Sequence, residues 1–440
     1  MNSAPVSPQP SNADTVALDR AHVFHSWSAQ GALKPLVLEG GLGSIVWDNE
    51  GNKYLDFSSQ LVNTNIGHQH PAVIEGIKAQ ADVMATVAPA HAINIRGEAA
   101  RKITNHAPDG MNKVFFTNGG ADANENAMRM ARLHTGRDKI ISRYRSYHGN
   151  TGSAVVATGD WRRIPNEYAR AHVHVFGPYE YRSEFWSDSP EQETERALYH
   201  LERTIQAEGA ESIAAILLES IPGTAGVLTP PPGYMAGVRA IADRYGILLI
   251  LDEVMVGFGR TGHWFAFEAF DVKPDLITFA KGVNSGYIPV GGVIISDEIA
   301  ATFDERVFPG GLTYSGHPIA AASIVASITA MEEEGIVENA AMIGRDHIAP
   351  GLAALADKHD CIGDVRGSGV FWALELVANR ETREPLSAAG MGKVKGALVK
   401  RGLLPFIADN RIHVVPPAVV TAEEVARAMA IYDEALSELG

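Results

Sequence analysis

The stretch Asp275-Leu-Ile-Thr-Phe-Ala-Lys-Gly282 sets a lysine directly after a short, mainly apolar run. Leu276–Ala280 reads as a buried strand, and three other runs follow the same pattern: Val114–Thr117, Ala214–Leu218 and Ile247–Leu251. Each is followed at once by a polar or glycine-rich element, namely Lys281, Asn118–Asp122, Glu219 and Asp252. Between about Lys113 and Ser296 such runs alternate with longer helical stretches, the pattern of parallel strands joined by crossover helices. In an open parallel sheet the ligand crevice lies beyond the carboxyl ends of the strands, so these followers are expected to converge on one site.

Outward from that centre, Leu42–Phe57 reads as a hairpin turning at Asp48–Gly51. Cys361–Val377 and Arg401–Val415 read as strands of a mixed C-terminal lobe, and Pro230–Gly233 as a loop. A chain of 440 residues exceeds the length at which a single core stops growing, so two lobes are expected. The expected division is a disordered tail over 1–13, an N-terminal segment 14–69 that joins the small domain, a large domain 70–318, and a small C-terminal domain 319–440.

Composition narrows the function. With 37 Lys+Arg against 52 Asp+Glu the net charge is -15, which argues against nucleic acid or an anionic membrane as partner. Cys361 is the only cysteine, so neither an internal disulfide nor a multi-cysteine metal site is expected, and a reducing cytoplasm fits. Residues 1–13 lack the basic and apolar regions of a signal peptide, and no apolar stretch reaches about 18 residues.

Three segments carry chemistry. Asn118-Gly119-Gly120-Ala121-Asp122 precedes a helical pattern of Ala123, Ala127, Met130 and Ala131. Without Cβ atoms the backbone at Gly119 and Gly120 can approach a phosphate, while N–H groups of the first helical turn point at it; plain turn chemistry is the alternative. A desolvated Lys281 favours the neutral amine that covalent attachment needs, or else it is a structural ion-pair partner. Asp252 is either a turn cap or the carboxylate that keeps a cofactor's pyridine nitrogen protonated.

Taken together, five ordered pieces resemble the class III aminotransferases of fold type I, the group that includes the ω-transaminases. They are Phe116-Thr-Asn-Gly-Gly-Ala-Asp-Ala-Asn-Glu125, Ser146-Tyr-His-Gly149, Leu251-Asp-Glu-Val-Met-Val-Gly-Phe-Gly-Arg-Thr-Gly262, Thr278-Phe-Ala-Lys-Gly282 and Leu312-Thr-Tyr-Ser-Gly-His-Pro318. The resemblance implies an α/β fold, a mostly parallel sheet in the large domain and a smaller α+β domain built from both chain ends. It implies pyridoxal 5'-phosphate as cofactor, Lys281 as its covalent anchor and Asp252 at its ring nitrogen. Tyr147 and Val254 would cover the two ring faces, Gly120 and Ala121 would take the phosphate with Thr313 of a neighbouring subunit, and Glu219 would lie near the ring hydroxyl. A homodimer is then the minimal active unit.

The implied reaction moves an amino group from a primary amine or ω-amino acid, such as taurine or β-alanine, to pyruvate or 2-oxoglutarate. A lyase or racemase on the same scaffold, or a cofactor-binding regulator, are the alternatives. Gly119-Gly120-Ala121 departs from the family's usual Ser-Gly-Ser or Ser-Gly-Thr, so backbone amides carry more of the phosphate. Where relatives place an arginine three residues before Pro-Pro, this chain has His413, which makes Arg411 the favoured carboxylate ligand and Arg163 the next candidate. Thr224 stands where 4-aminobutyrate enzymes carry a glutamate. Trp27, Val62 and Phe406 resemble positions near the substrate pocket; core packing is the other reading of each.

Overall fold

The computed structural model describes residues 10–167 and 169–439. A seven-stranded sheet runs in the order Lys113–Thr117, Gly291–Ile295, Leu276–Phe279, Leu248–Asp252, Ile213–Glu219, Lys139–Arg143 and His172–Val175. The last five are mutually parallel, and only Gly291–Ile295 runs against both of its neighbours. All seven residues of the central Ile213–Glu219 are buried, which explains its unbroken apolar sequence: helices cover both faces of a parallel sheet. Helix Gly120–Thr135 turns Ala123, Ala127, Met130 and Ala131 onto that sheet and stops at Gly136, whose φ of 70° forms a left-handed cap.

The second sheet is built from both ends of the chain. Its order is Gly40–Leu42, Ile45–Trp47, Lys53–Phe57, Leu403–Ala408, Arg411–Val414, Phe371–Asn379 and Ile362–Ser368, with Glu384–Pro385 paired to the side of Phe371–Asn379. The expected N-terminal hairpin is present, and Lys53–Phe57 pairs in parallel with Leu403–Ala408, which welds the two ends together. Cys361–Val377 and Arg401–Val415 are each a hairpin of two strands.

The expectation of a disordered tail over 1–13 is corrected at its C-terminal edge. Ser11 and Asp14 form a reciprocal capping box on helix Asn12–His22, so residues 11–13 are held by the helix start. Residues 1–9 lie outside the described residues.

Candidate active site

Strand register gathers the followers into one row. Glu219 pairs with Asp252, and Asp252 with Thr278, at the carboxyl ends of three adjacent parallel strands. Two residues beyond Phe279 the chain turns at Lys281, whose φ of 42° is rare for a residue with a Cβ. This turn directs Lys281 into the walls of two adjoining cavities, of about 350 and 810 Å³. Desolvation pulls its amine down to about 8, against the opposing charges of Asp252 and Glu219.

Asp252 is nearly inaccessible and held by three donors. His148 Nδ1 and Asn124 Nδ2 each lie 2.8 Å from its Oδ2, and the Val254 amide donates to Oδ1 at 3.0 Å. Thr278 Oγ1 donates to Asn124 Oδ1 at 2.8 Å, which turns the Asn124 amide nitrogen toward the carboxylate. The site reading from sequence missed His148 and Asn124, although both lie inside the quoted motifs.

The smaller cavity has the parts of an anion cradle. Gly119, Gly120 and Ala121 line it beside Tyr147, Asp252, Val254 and Lys281. No side chain caps the start of helix Gly120–Thr135, so its first N–H groups are left for a ligand. A Cβ on Gly120 would stand 2.8 Å from Val254 Cγ1, so glycine is what lets the backbone pass this side chain. Glu219 also lines the cavity, but its two oxygens accept from the Tyr147 and Gly223 amides at 3.0 and 2.9 Å. Burial, with a smaller push from Asp252, raises its carboxyl above the ordinary range.

Tyr147 is itself braced. The Arg162 guanidinium sits 4.0 Å from the ring centroid, and Trp27 meets the ring edge-on at 6.4 Å. Arg162, a residue the sequence did not single out, lines the larger cavity; Arg163 does not, lying over Tyr144 and beside Glu167 instead.

Trp27, Phe406, Thr224 and Arg411 all line the larger cavity. Val62 does not, which corrects the sequence expectation. It is fully buried in a cluster with Ile221, Val227 and Phe371, while Leu61 takes the cavity wall. The reason is the turn Ser59–Val62, where Ser59, Gln60 and Val62 all have positive φ and the chain rotates one position against the sequence pattern. His413 is buried too; its Nε2 donates to the Gly223 carbonyl at 3.0 Å, and burial pushes it down to about 3. It is neutral and cannot replace the relatives' arginine. Thr313 is exposed in a single chain and lines neither cavity.

The aminotransferase class-III profile matches residues 27–436. The chain belongs to the class III aminotransferases. A taurine–pyruvate aminotransferase of Rhodobacter capsulatus is 34% identical over the full length of both chains. A putrescine–pyruvate aminotransferase of Pseudomonas aeruginosa is 35% identical over 87% of this chain and 86% of its own. Among solved structures, taurine:2-oxoglutarate aminotransferase from Bifidobacterium kashiwanohense, in complex with PLP and glutamate, superposes with a TM-score of 0.94. It is 41% identical and covers 100% of this chain and 99% of its own.

This class III aminotransferase is a fold type I enzyme of the ω-transaminase kind that uses pyridoxal 5'-phosphate. The open helix start, the Gly120 approach and the desolvated amine of Lys281 fit that group. When bound, pyridoxal phosphate supplies an electron sink and a carrier for the amino group.

Proposed function

We propose that this aminotransferase takes amino groups from ω-amino acids that carry an anionic group, taurine or β-alanine, and passes them to pyruvate or 2-oxoglutarate. One observation carries the reading: a single cavity is lined by Lys281 and by Arg411. An amine can reach Lys281 while its anionic group meets a guanidinium, whose planar N–H fork suits a carboxylate or sulfonate. The apolar wall of Trp27, Leu61 and Phe406 accepts a short methylene chain between them. The names of relatives that act on taurine support this choice of donor.

In this reading Lys281 Nζ anchors the cofactor and then carries the proton from the substrate carbon, a role suited to an amine whose pKa lies near the working pH. Asp252 holds the proton on the ring nitrogen, and Tyr147 and Val254 enclose the ring. The Gly120 and Ala121 amides bind the phosphate together with Thr313 of the partner subunit, so the enzyme works as a homodimer. The lone Cys361 fits a cytoplasmic setting. A donor-by-acceptor panel on the holoenzyme tests the proposal. Turnover of taurine or β-alanine with pyruvate or 2-oxoglutarate is expected; activity confined to amines without an anionic group would contradict it.

A further inference from the structure

Four arginines line the larger cavity: Arg145, Arg162, Arg182 and Arg411. Two of them are committed elsewhere. Arg162 grips Asp160 in a fork, with Nε 3.0 Å from each carboxylate oxygen. Arg145 stands at the exposed rim and pairs with Glu184 at 2.7 Å.

Arg182 and Arg411 differ. Arg182 Nε donates to Glu375 Oε1 at 2.5 Å, but its Nη2 is buried and has no hydrogen-bond partner among the described residues. Arg411 has an ion-pair partner in the highly exposed Asp409, while its Nε is likewise buried and without a partner. Two buried guanidinium N–H donors left open beside one cavity are costly unless a ligand acceptor completes them.

The surroundings hold both arginines in place. Glu375 is fully buried; besides Arg182 it accepts from the Tyr179 hydroxyl and pairs with Arg366 Nη2 at 3.0 Å. Burial works against its charge, yet the Tyr179 and Arg182 hydrogen bonds and the Arg366 charge hold it below the ordinary glutamate range. Gly226 makes room for Arg411: with φ of 118°, a Cβ there would fall 2.4 Å from Arg411 Cδ and 2.8 Å from Arg366 Nη2. Arg182 and Arg366 thus share the fully buried Glu375 carboxylate, while Asp364 pairs with Arg366 and the exposed Asp409 with Arg411. On the cavity side the cluster presents Arg182 and Arg411 against Asp409 alone.

We infer that Arg182 is a substrate-binding residue that joins Arg411 in a two-arginine site for the anionic group of the substrate, with Glu375 as the positioning residue that aims it. The inference rests on the Arg411 reading proposed above and adds the second cation. The ligand chemistry is a carboxylate or sulfonate, carried by the 2-oxo acid acceptor or by the ω-amino acid donor.

The test measures half-reactions of wild type, Arg182→Met, Arg182→Lys and Arg411→Met holoenzymes with taurine, pyruvate and an uncharged primary amine, together with glutarate binding by calorimetry. Arg182→Met is expected to lower kcat/KM at least 20-fold for taurine, for pyruvate or for both, and to weaken glutarate binding similarly. The uncharged amine should change less than threefold, and Arg182→Lys should recover part of the loss. Loss with taurine alone assigns the site to the donor, and loss with pyruvate alone to the acceptor. Equal losses with charged and uncharged substrates, or no loss with any, overturn the inference. Glutarate binding needs no amino transfer. Wild type that binds glutarate through Arg182 but turns over no ω-amino acid would therefore sink the proposed donor class and leave the anion site standing.

Discussion

His148 Nδ1 donates to Asp252 Oδ2 at 2.8 Å, and both side chains are closed off from solvent. Because a carboxylate can only accept, this bond places the imidazole proton on Nδ1. Asparagine cannot reproduce the arrangement, since one oxygen of Asp252 takes two donors and the other takes the Val254 amide. Asp252→Asn is expected to retain cofactor and fold but to slow both half-reactions about 10²–10³-fold, the scale of an ion pair lost in a desolvated site. Stopped-flow rates near wild type would remove Asp252 from the ring nitrogen.

The amine of Lys281, pulled down to about 8, predicts how the apoenzyme captures its cofactor. Only the neutral amine is nucleophilic, and its fraction rises as pH passes upward through the pKa. The rate of covalent loading should therefore climb between about pH 7 and 9 and level off above. A climb centred near the ordinary lysine value would show that desolvation does not act on this amine.

Gly119 and Gly120 are adjacent yet predict opposite outcomes. A Cβ on Gly119 meets nothing within 4 Å, and its φ of 175° is open to any residue. Gly119→Ser would add a hydroxyl at the phosphate cradle and should tighten cofactor binding about tenfold, as expected of a hydrogen bond to a charged group. Gly120→Ala must displace Val254 and should weaken binding by a similar factor, with recovery in the Gly120→Ala/Val254→Ala double variant. Cofactor titrations by fluorescence check both.

Leu61 and Val62 form a second such pair. Leu61 is half-exposed at the walls of both cavities, whereas Val62 is fully inside the core. Leu61→Ala should change the relative rates with bulky and slender amines at little cost in stability. Val62→Ala should cost on the order of 2 kcal/mol in denaturant unfolding, with substrate preference unchanged. The reverse pattern would contradict the described turn.

Buried parallel strands announce themselves as apolar runs, so the runs at Ala214, Ile247 and Leu276 foretold strands whose ends the structure moves by only a residue or so; the run at Val114, read the same way, is instead a partly buried edge strand antiparallel to its one neighbour. Lys281, Asp252 and Glu219 could be anticipated because each directly follows such a run. Side chains that act across the fold could not: His148 and Asn124 reach Asp252 from 104 and 128 residues away. The turn at Ser59–Val62 was hidden for a different reason. Its positive φ values fall on Ser59, Gln60 and Val62, with no glycine or asparagine among them to signal the turn, so the pocket face was assigned one residue too late. Arg182 ends the three-residue 3-10 helix Glu180–Arg182 outside the quoted motifs, and its value depends on Glu375, 193 residues further on.

The central claim is that Lys281 binds the cofactor covalently. Borohydride reduction of the purified holoenzyme, followed by proteolysis and mass mapping, addresses it in one step. The account predicts a single pyridoxyl label on the peptide that contains Thr278-Phe-Ala-Lys-Gly282, and none at that position in Lys281→Ala. A label on any other lysine of the wild-type protein would contradict it.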